Sequence, residues 1–122
     1  MDVVKIRDYM VFLCDSIRNM LKTANWSVCI AENMVNELKK EYPAIEQIEP
    51  LMSYVVDYYM DEKRLSILLI PLINNGKFTV AIASENKEKL FELELNPDSS
   101  HEQSVRMHEY IKLIIKENEN ER

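Results

Sequence analysis

Leu65-Ser66-Ile67-Leu68-Leu69-Ile70-Pro71-Leu72-Ile73 is the most continuous apolar run in the chain. It is too short to span a bilayer, and a short apolar run with charge before it and a turn after it is typical of a buried strand. Asn74-Asn75-Gly76-Lys77 follows, and Asn-Gly between two apolar runs is a strong hairpin signal. The sequence therefore predicts that a β-hairpin organises the fold.

Two further strands are predicted after this turn. Residues 77–84 alternate large and small apolar side chains, and residues 89–95 place Phe91, Leu93 and Leu95 on one side with Glu92 and Glu94 on the other. Regular alternation of apolar and polar residues is typical of a sheet with one face exposed to solvent. We therefore predict a three-stranded antiparallel meander.

The first strand raises a problem of exposure. It is an edge in a simple meander, as Pro71 suggests, yet both of its faces are apolar, and an exposed apolar edge invites aggregation. Four alternatives for what covers this edge stay open: a helix of the same domain, the segment 26–30 paired as a fourth strand, a second subunit, or a partner protein.

The N-terminal segment 3–24 is predicted to be a helix. Its apolar residues follow one another at alternating steps of three and four, which makes a heptad seam. The seam either packs on the protein's own core or serves self-association in a homodimer. The self-association hypothesis assigns it to Ile6, Met10, Leu13, Ile17 and Met20.

Three more helices are predicted. The second covers 27–42, although Trp26, Val28 and Ile30 also alternate as in a strand. The third covers 50–60, with Pro50 in its first turn and apolar residues at helical spacing. The last begins at Ser99 or Ser100, packs on the sheet and ends near Lys116, before a polar tail over 117–122 that we expect to fray.

These elements make one domain over 1–116 in the α+β class: three N-terminal helices, a three-stranded antiparallel meander and a C-terminal helix. The chain of 122 residues has a single glycine, Gly76, which excludes a P-loop and a Rossmann fingerprint. The net charge of −6 disfavours nucleic acid as a partner. No apolar stretch reaches the length of a membrane span.

The cysteines indicate a reducing compartment. Cys14 and Cys29 fall on predicted apolar helix faces, which suits two reduced thiols better than a disulfide. The N-terminal residues also lack the basic and apolar pattern of a secretory signal. We predict a cytoplasmic protein.

No catalytic, cofactor or metal site is predicted. His101 and His108 are seven residues apart on one helix, about 10 Å along its axis, whereas paired ligands on a helix lie three or four residues apart. We expect His108 to have a local hydrogen-bond partner. Neither cysteine has a histidine nearby in sequence to activate it, so we predict that the protein is not an enzyme.

A cluster of tyrosines and acids on the predicted third helix is the candidate partner-binding surface. Tyrosines are enriched at protein interfaces, and helical spacing would gather most of these side chains on one face. The alternative is that the tyrosines only cap the edge of the core. The hypothesis names Tyr54, Asp57, Tyr58, Asp61 and Glu62.

We therefore predict a small acidic protein that acts by stoichiometric binding of a protein partner, favouring a basic one, as an inhibitor, immunity protein, antitoxin, adaptor or chaperone does. The alternative is a regulatory module that binds a small ligand between sheet and helices, with polar groups from Tyr58, Tyr59 and Thr79.

Overall fold

The computed structural model describes residues 3–30, 32–43, 45–47, 52–60, 62–84, 90–94 and 100–120. The elements in chain order are α1 (Val3–Met20), β1 (Ala24–Ile30), α2 (Glu32–Glu41), β2 (Ile45–Gln47), β3 (Met52–Met60), β4 (Lys63–Asn74), β5 (Lys77–Ser84), β6 (Leu90–Glu94) and α3 (Ser100–Asn120).

The strands form one antiparallel sheet. Five of them follow the spatial order β1-β3-β4-β5-β6, and the short β2 pairs with the end of β4. The apolar run lies in β4, between β3 on one side and β5 on the other. This central position explains why both faces of β4 are apolar, and the prediction that it is an edge strand was wrong.

Pro71 lies within this central strand at a break in the neighbouring ladder. β3 pairs with β4 as far as Leu69, and β2 pairs with it from Leu72 onward. Proline has no N–H to donate, so its cost in a sheet is smallest where pairing on one side is interrupted.

The turn between β4 and β5 confirms the predicted hairpin. Asn75 has a φ of 54° and Gly76 a φ of 77°. Two successive residues with positive φ make the twist that suits a two-residue hairpin, and asparagine and glycine adopt it most readily. Asn74 and Lys77 pair directly across the turn.

One face of the sheet is covered by α1 and α3. Helix α1 contacts β1 and β3, whereas α3 contacts β4, β5 and β6. The buried side chains between helices and sheet form the main core, which includes Met10, Leu13, Cys14, Ile17, Val56, Ile67, Leu69, Val80, Ile82, Met107, Ile111 and Ile114.

The other face carries a smaller apolar cluster under α2. Leu38 of α2 and Ile45 of β2 pack with Ile70, Leu72 and Ala81 of the sheet. The long apolar strand β4 therefore supplies both cores, because alternate residues point to opposite faces.

The described part of the predicted third helix over 50–60, residues Met52–Met60, is strand β3. Pro50 and Leu51 lie outside the described residues. Tyr54-Val55-Val56-Asp57-Tyr58-Tyr59 is rich in β-branched and aromatic residues, which favour strands. The helical spacing of Val55, Tyr58 and Tyr59 and the alternation of a strand both fit this short segment. A short apolar run does not distinguish the helical period from the strand period. Pairing on both sides, with β1 and β4, decides for the strand.

The predicted second helix over 27–42 was also wrong in its first part. Residues 24–30 form β1, and the helix begins only at Glu32. The alternative of a fourth strand from 26–30 is confirmed as a strand, but it pairs with β3 rather than covering β4. The α+β class is confirmed, while the arrangement of three N-terminal helices and a three-stranded meander is not.

The remaining elements agree closely with their predictions. The helix α1 ends at Met20 rather than at residue 24, and β6 places Phe91 and Leu93 toward the core with Glu92 and Glu94 outward. Helix α3 begins at Ser100 and continues to Asn120, beyond the predicted end at residue 116.

Candidate functional site

The strand β1 forms one edge of the described sheet. It pairs with β3 through all seven of its residues, from Ala24–Tyr58 to Ile30–Met52, and its other side is unpaired among the residues that the structure describes. Most of β1 is open to solvent: Val28 is 39% exposed and Ile30 76% exposed. Two aliphatic side chains thus stand beside a row of free backbone hydrogen-bonding groups.

The sequence of β1 lacks the devices that usually protect such an edge. Ala-Asn-Trp-Ser-Val-Cys-Ile has no charged residue and no proline, whereas natural edge strands commonly carry lysine, proline or a bulge against unwanted pairing. The register with β3 is continuous, without a bulge. The edge is therefore continuous and neutral.

The edge is also held firmly in place. The indole Nε1 of Trp26 donates a hydrogen bond to Asp15 Oδ1 of α1 over 2.8 Å, and the Trp26 ring lies against Tyr54 with centroids 6.3 Å apart. Just before the strand, Thr23 Oγ1 donates to the carbonyl of Tyr59 over 2.9 Å. A preorganised edge loses less conformational entropy on binding than a mobile one.

The predicted tyrosine and acid surface does not form one face. Because β3 is a strand, Tyr54 and Tyr58 point toward the helices, and Tyr54 is only 3% exposed. Asp57 points to the opposite face, where it accepts a hydrogen bond from Ser66 Oγ over 2.5 Å. Glu62 is exposed in the turn before β4, and Asp61 lies outside the described residues. Their role in partner binding stays a prediction.

The predicted self-association seam is packed inside the chain. Ile6, Met10, Leu13 and Ile17 are at most 4% exposed in the core beneath α1, and Met20 is half-buried at its border. These side chains cover the sheet of their own domain. Among the residues of α1 whose side chains the structure describes, Phe12 is the exposed large apolar one, with 46% of its surface open.

Polar contacts join α1 to α3. Ser16 Oγ lies 2.9 Å from both Ser104 Oγ and His108 Nε2, and Tyr9 donates a hydrogen bond to Gln103. Burial, and secondarily the charge of Lys112, lowers the pKa of His108. The predicted local partner of His108 is therefore Ser16. Nucleophilic catalysis needs a third group to orient the base, and in the part of the chain that the structure describes no carboxylate is bonded to this histidine.

Both cysteines are free thiols. Burial and the charge of Asp15 raise the pKa of Cys14 to about 12, and burial also raises the pKa of Cys29. Since the thiolate is the reactive form, neither environment activates a nucleophile.

A shallow pocket of about 280 Å³ opens on the sheet face opposite α1 and α3, near the β4–β5 turn. Asn74 Nδ2 donates to Glu92 Oε1 over 2.7 Å, and Lys77 Nζ lies 3.7 Å from Glu94 Oε2. Thr79, which is 6% exposed, contributes a hydroxyl that has no hydrogen-bond partner among the described residues. The alternative ligand site included Thr79, but Tyr58 and Tyr59 are not among the lining residues.

The described residues contain no group of three or more histidine, cysteine or acidic side chains placed to hold a metal ion. No helix in this described part of the chain is long and apolar enough to cross a membrane. No family model, no curated protein and no solved structure matches the chain.

Sequence reasoning overlooked β1 as a surface, although its signal was present. The alternation of Trp26, Val28 and Ile30 with polar or small residues predicts a strand. The absence of charge from this strand then singles it out, since β2 and β6, the other strands paired on one side only among the described residues, carry one and two glutamates.

Proposed function

We propose that the protein is a protein-binding module that pairs an extended segment of its partner with the open edge of β1. The observation that carries this proposal is the neutral edge of β1, which is unpaired among the residues that the structure describes and has Val28 and Ile30 exposed beside it. In this binding mode, backbone hydrogen bonds supply affinity and the alternate side chains supply specificity.

The side chains of β1 point alternately to the two faces of the sheet, so a paired strand meets a different set of side chains on each face. Trp26, Val28 and Ile30 lie on the face that α1 covers, so a partner residue opposite Val28 meets an apolar surface. Asn25, Ser27 and Cys29 lie on the other face and offer small polar contacts. We expect a partner strand that is apolar on one side and polar on the other.

The charge of the whole chain influences which partners approach. A net charge of −6 attracts basic proteins at long range, whereas β1 itself is neutral. Salt screens this attraction. Association that weakens with salt would identify a basic partner, and association that strengthens with salt would identify an acidic one.

The test compares two lysine variants of equal charge. Ile30→Lys puts a charge beside the β1 edge, and Leu113→Lys makes the same change on α3, where Leu113 is 46% exposed. We expect tagged Leu113→Lys to retain the same proteins from cell extract as the tagged wild type. Tagged Ile30→Lys should not retain them. In a purified complex, amide hydrogen exchange should slow in residues 24–30. Equal retention by Ile30→Lys, or protection elsewhere only, would refute the proposal.

A second candidate function is binding of a small polar ligand in the pocket near the β4–β5 turn. The unpartnered Thr79 hydroxyl supports it, because a buried hydroxyl without a partner is costly. We expect a ligand from a metabolite panel to raise the melting temperature of the wild type but not of Thr79→Val. A panel without any shift would argue against this candidate.

The two unpaired cysteines, Cys14 and Cys29, support a cytoplasmic location, where thiols stay reduced. The same proposal treats the protein as a binder rather than an enzyme, with any inhibitory or adaptor role depending on the partner.

A further inference from the structure

Resting on the proposed function of the β1 edge, we infer that the partner strand is β1 of a second copy of this chain. The two strands would run antiparallel about a two-fold axis at Ser27, so that the two sheets join into one. Such an interface is isologous, with the same surface contributed by each copy.

The sequence of β1 is complementary to itself in this register. An axis at Ser27 pairs all seven residues of the strand: Ala24 with Ile30 of the second copy, Asn25 with Cys29, and Trp26 with Val28. The indole of Trp26 would cover Val28, which is 39% exposed in the single chain. Aromatic and β-branched residues opposite each other are favourable cross-strand pairs.

Charge favours β1 over the outer strand β6 as the site of self-pairing. Pairing two copies of β6 about its central residue would set Glu92 against Glu92 of the second copy, and like charges directly opposite each other destabilise a sheet. Pairing two copies of β1 brings no charges together. Because each copy is acidic, the absence of charge from β1 favours pairing with a second copy more than pairing with a basic partner.

The placement of α1 determines where the helices of the two copies lie. A two-fold axis perpendicular to the sheet leaves both copies' helices on the same face, and α1 lies over β1 and β3, next to the joined edge. Asp15 of this helix accepts the hydrogen bond from Trp26, so α1 is fixed beside that edge. The two copies of α1 would then lie on the same face, one on each side of the joined strands.

The test is cross-linking that depends on register. Asn25→Cys would face the native Cys29 of the second copy, a distance that a disulfide spans in adjacent antiparallel strands. Under mild oxidation we expect covalent dimers from Asn25→Cys. We expect none from the wild type, because Cys29 of one copy is four residues from the position opposite Cys29 of the other, roughly 13 Å along the strand.

The matched control is Asn25→Cys combined with Cys29→Ser, which retains the new thiol and removes its expected partner. We expect this double variant to stay monomeric in denaturing electrophoresis. Equal cross-linking with and without Cys29 would overturn the register and hence the proposal.

Mass in solution separates this inference from the proposed function. Light scattering from micromolar to millimolar concentration should show a dimer for the wild type and Leu113→Lys, and a monomer for Ile30→Lys. A wild-type monomer at every concentration would overturn the self-pairing but not the proposed function, provided that a different partner protects residues 24–30. A dimer that Ile30→Lys leaves intact would overturn the self-pairing, and unchanged exchange of residues 24–30 in that dimer would count against the edge as a binding site.

Discussion

Trp26 of β1 donates a hydrogen bond from its indole Nε1 to the carboxylate of Asp15 on α1, over 2.8 Å. This bond joins the helix to the outer strand across the short turn that connects them. This bond from α1 and the backbone pairing with β3 both hold β1 in place, so two neighbouring elements fix the position of the open edge.

Removing the indole donor should loosen this outer strand. We expect Trp26→Phe to lower the free energy of unfolding by about 1 kcal/mol or somewhat more, since a hydrogen bond to a charged group is lost together with part of a large aromatic side chain. Urea denaturation measures the change. Asp8→Asn, at an exposed position on the same helix, is the control and should change it little.

A variant of the β4–β5 turn tests the one position that needs glycine. Gly76 has a φ of 77°, and a Cβ added there meets no atom within 4 Å. Gly76→Ala should therefore cost about 1 kcal/mol through backbone conformation alone. Asn75→Gly, at a φ of 54°, should be nearly neutral or mildly stabilising. Equal losses for both variants in urea denaturation would contradict this account.

The turn could be predicted because its signal is local. Asn75 and Gly76 need only their own backbone preferences to make a hairpin, and the strands beside them alternate clearly. The amphipathic seam of α1 was equally readable, because its period persists through eighteen residues of helix. In such segments propensity and pattern agree with the tertiary fold.

The strand β3 could not be predicted because its pattern satisfies two periods. Val55, Tyr58 and Tyr59 fit a helix, while Tyr54, Val56 and Tyr58 fit a strand. The choice depends on pairing with β1 as well as with β4, and β1 was itself predicted as part of a helix. For the same reason Asp57 does not share a face with Tyr54 and Tyr58, since a strand sends alternating side chains to opposite faces. The role of these residues in partner binding stays a prediction.

The central position of β4 gives a direct test of the fold. Leu69 is fully buried between β3 and β5, and Leu113 is 46% exposed on α3. We expect Leu69→Ala to cost about 3 kcal/mol by creating a cavity, and Leu113→Ala to cost less than about 0.5 kcal/mol. Similar costs in urea denaturation would mean that β4 lies at an edge, as the sequence suggested.

The environment of His108 should make stability depend on pH. Its pKa is lowered in the folded state, chiefly by burial and then by Lys112, so the unfolded chain binds the proton more readily. Stability should therefore fall as the pH drops through the unfolded value near 6.5, and level off for this group below its folded pKa. His108→Gln should reduce the loss between pH 8 and pH 5.5 in denaturation experiments, as judged against His101→Gln at an exposed position. Identical pH profiles for the two variants would exclude His108 as a source.

The two thiols should differ sharply in reactivity. Burial and the charge of Asp15 raise the pKa of Cys14 to about 12, so its thiol stays protonated near neutral pH, and its side chain is out of reach of reagents. Cys29 is half-buried on the open edge, and burial raises its pKa. A maleimide should therefore modify only Cys29 in the folded protein, more slowly than a free thiol, and both residues in denaturant. Cys29→Ser should leave the native protein unmodified, and rapid native labelling of that variant would show that α1 does not seal Cys14 into the core.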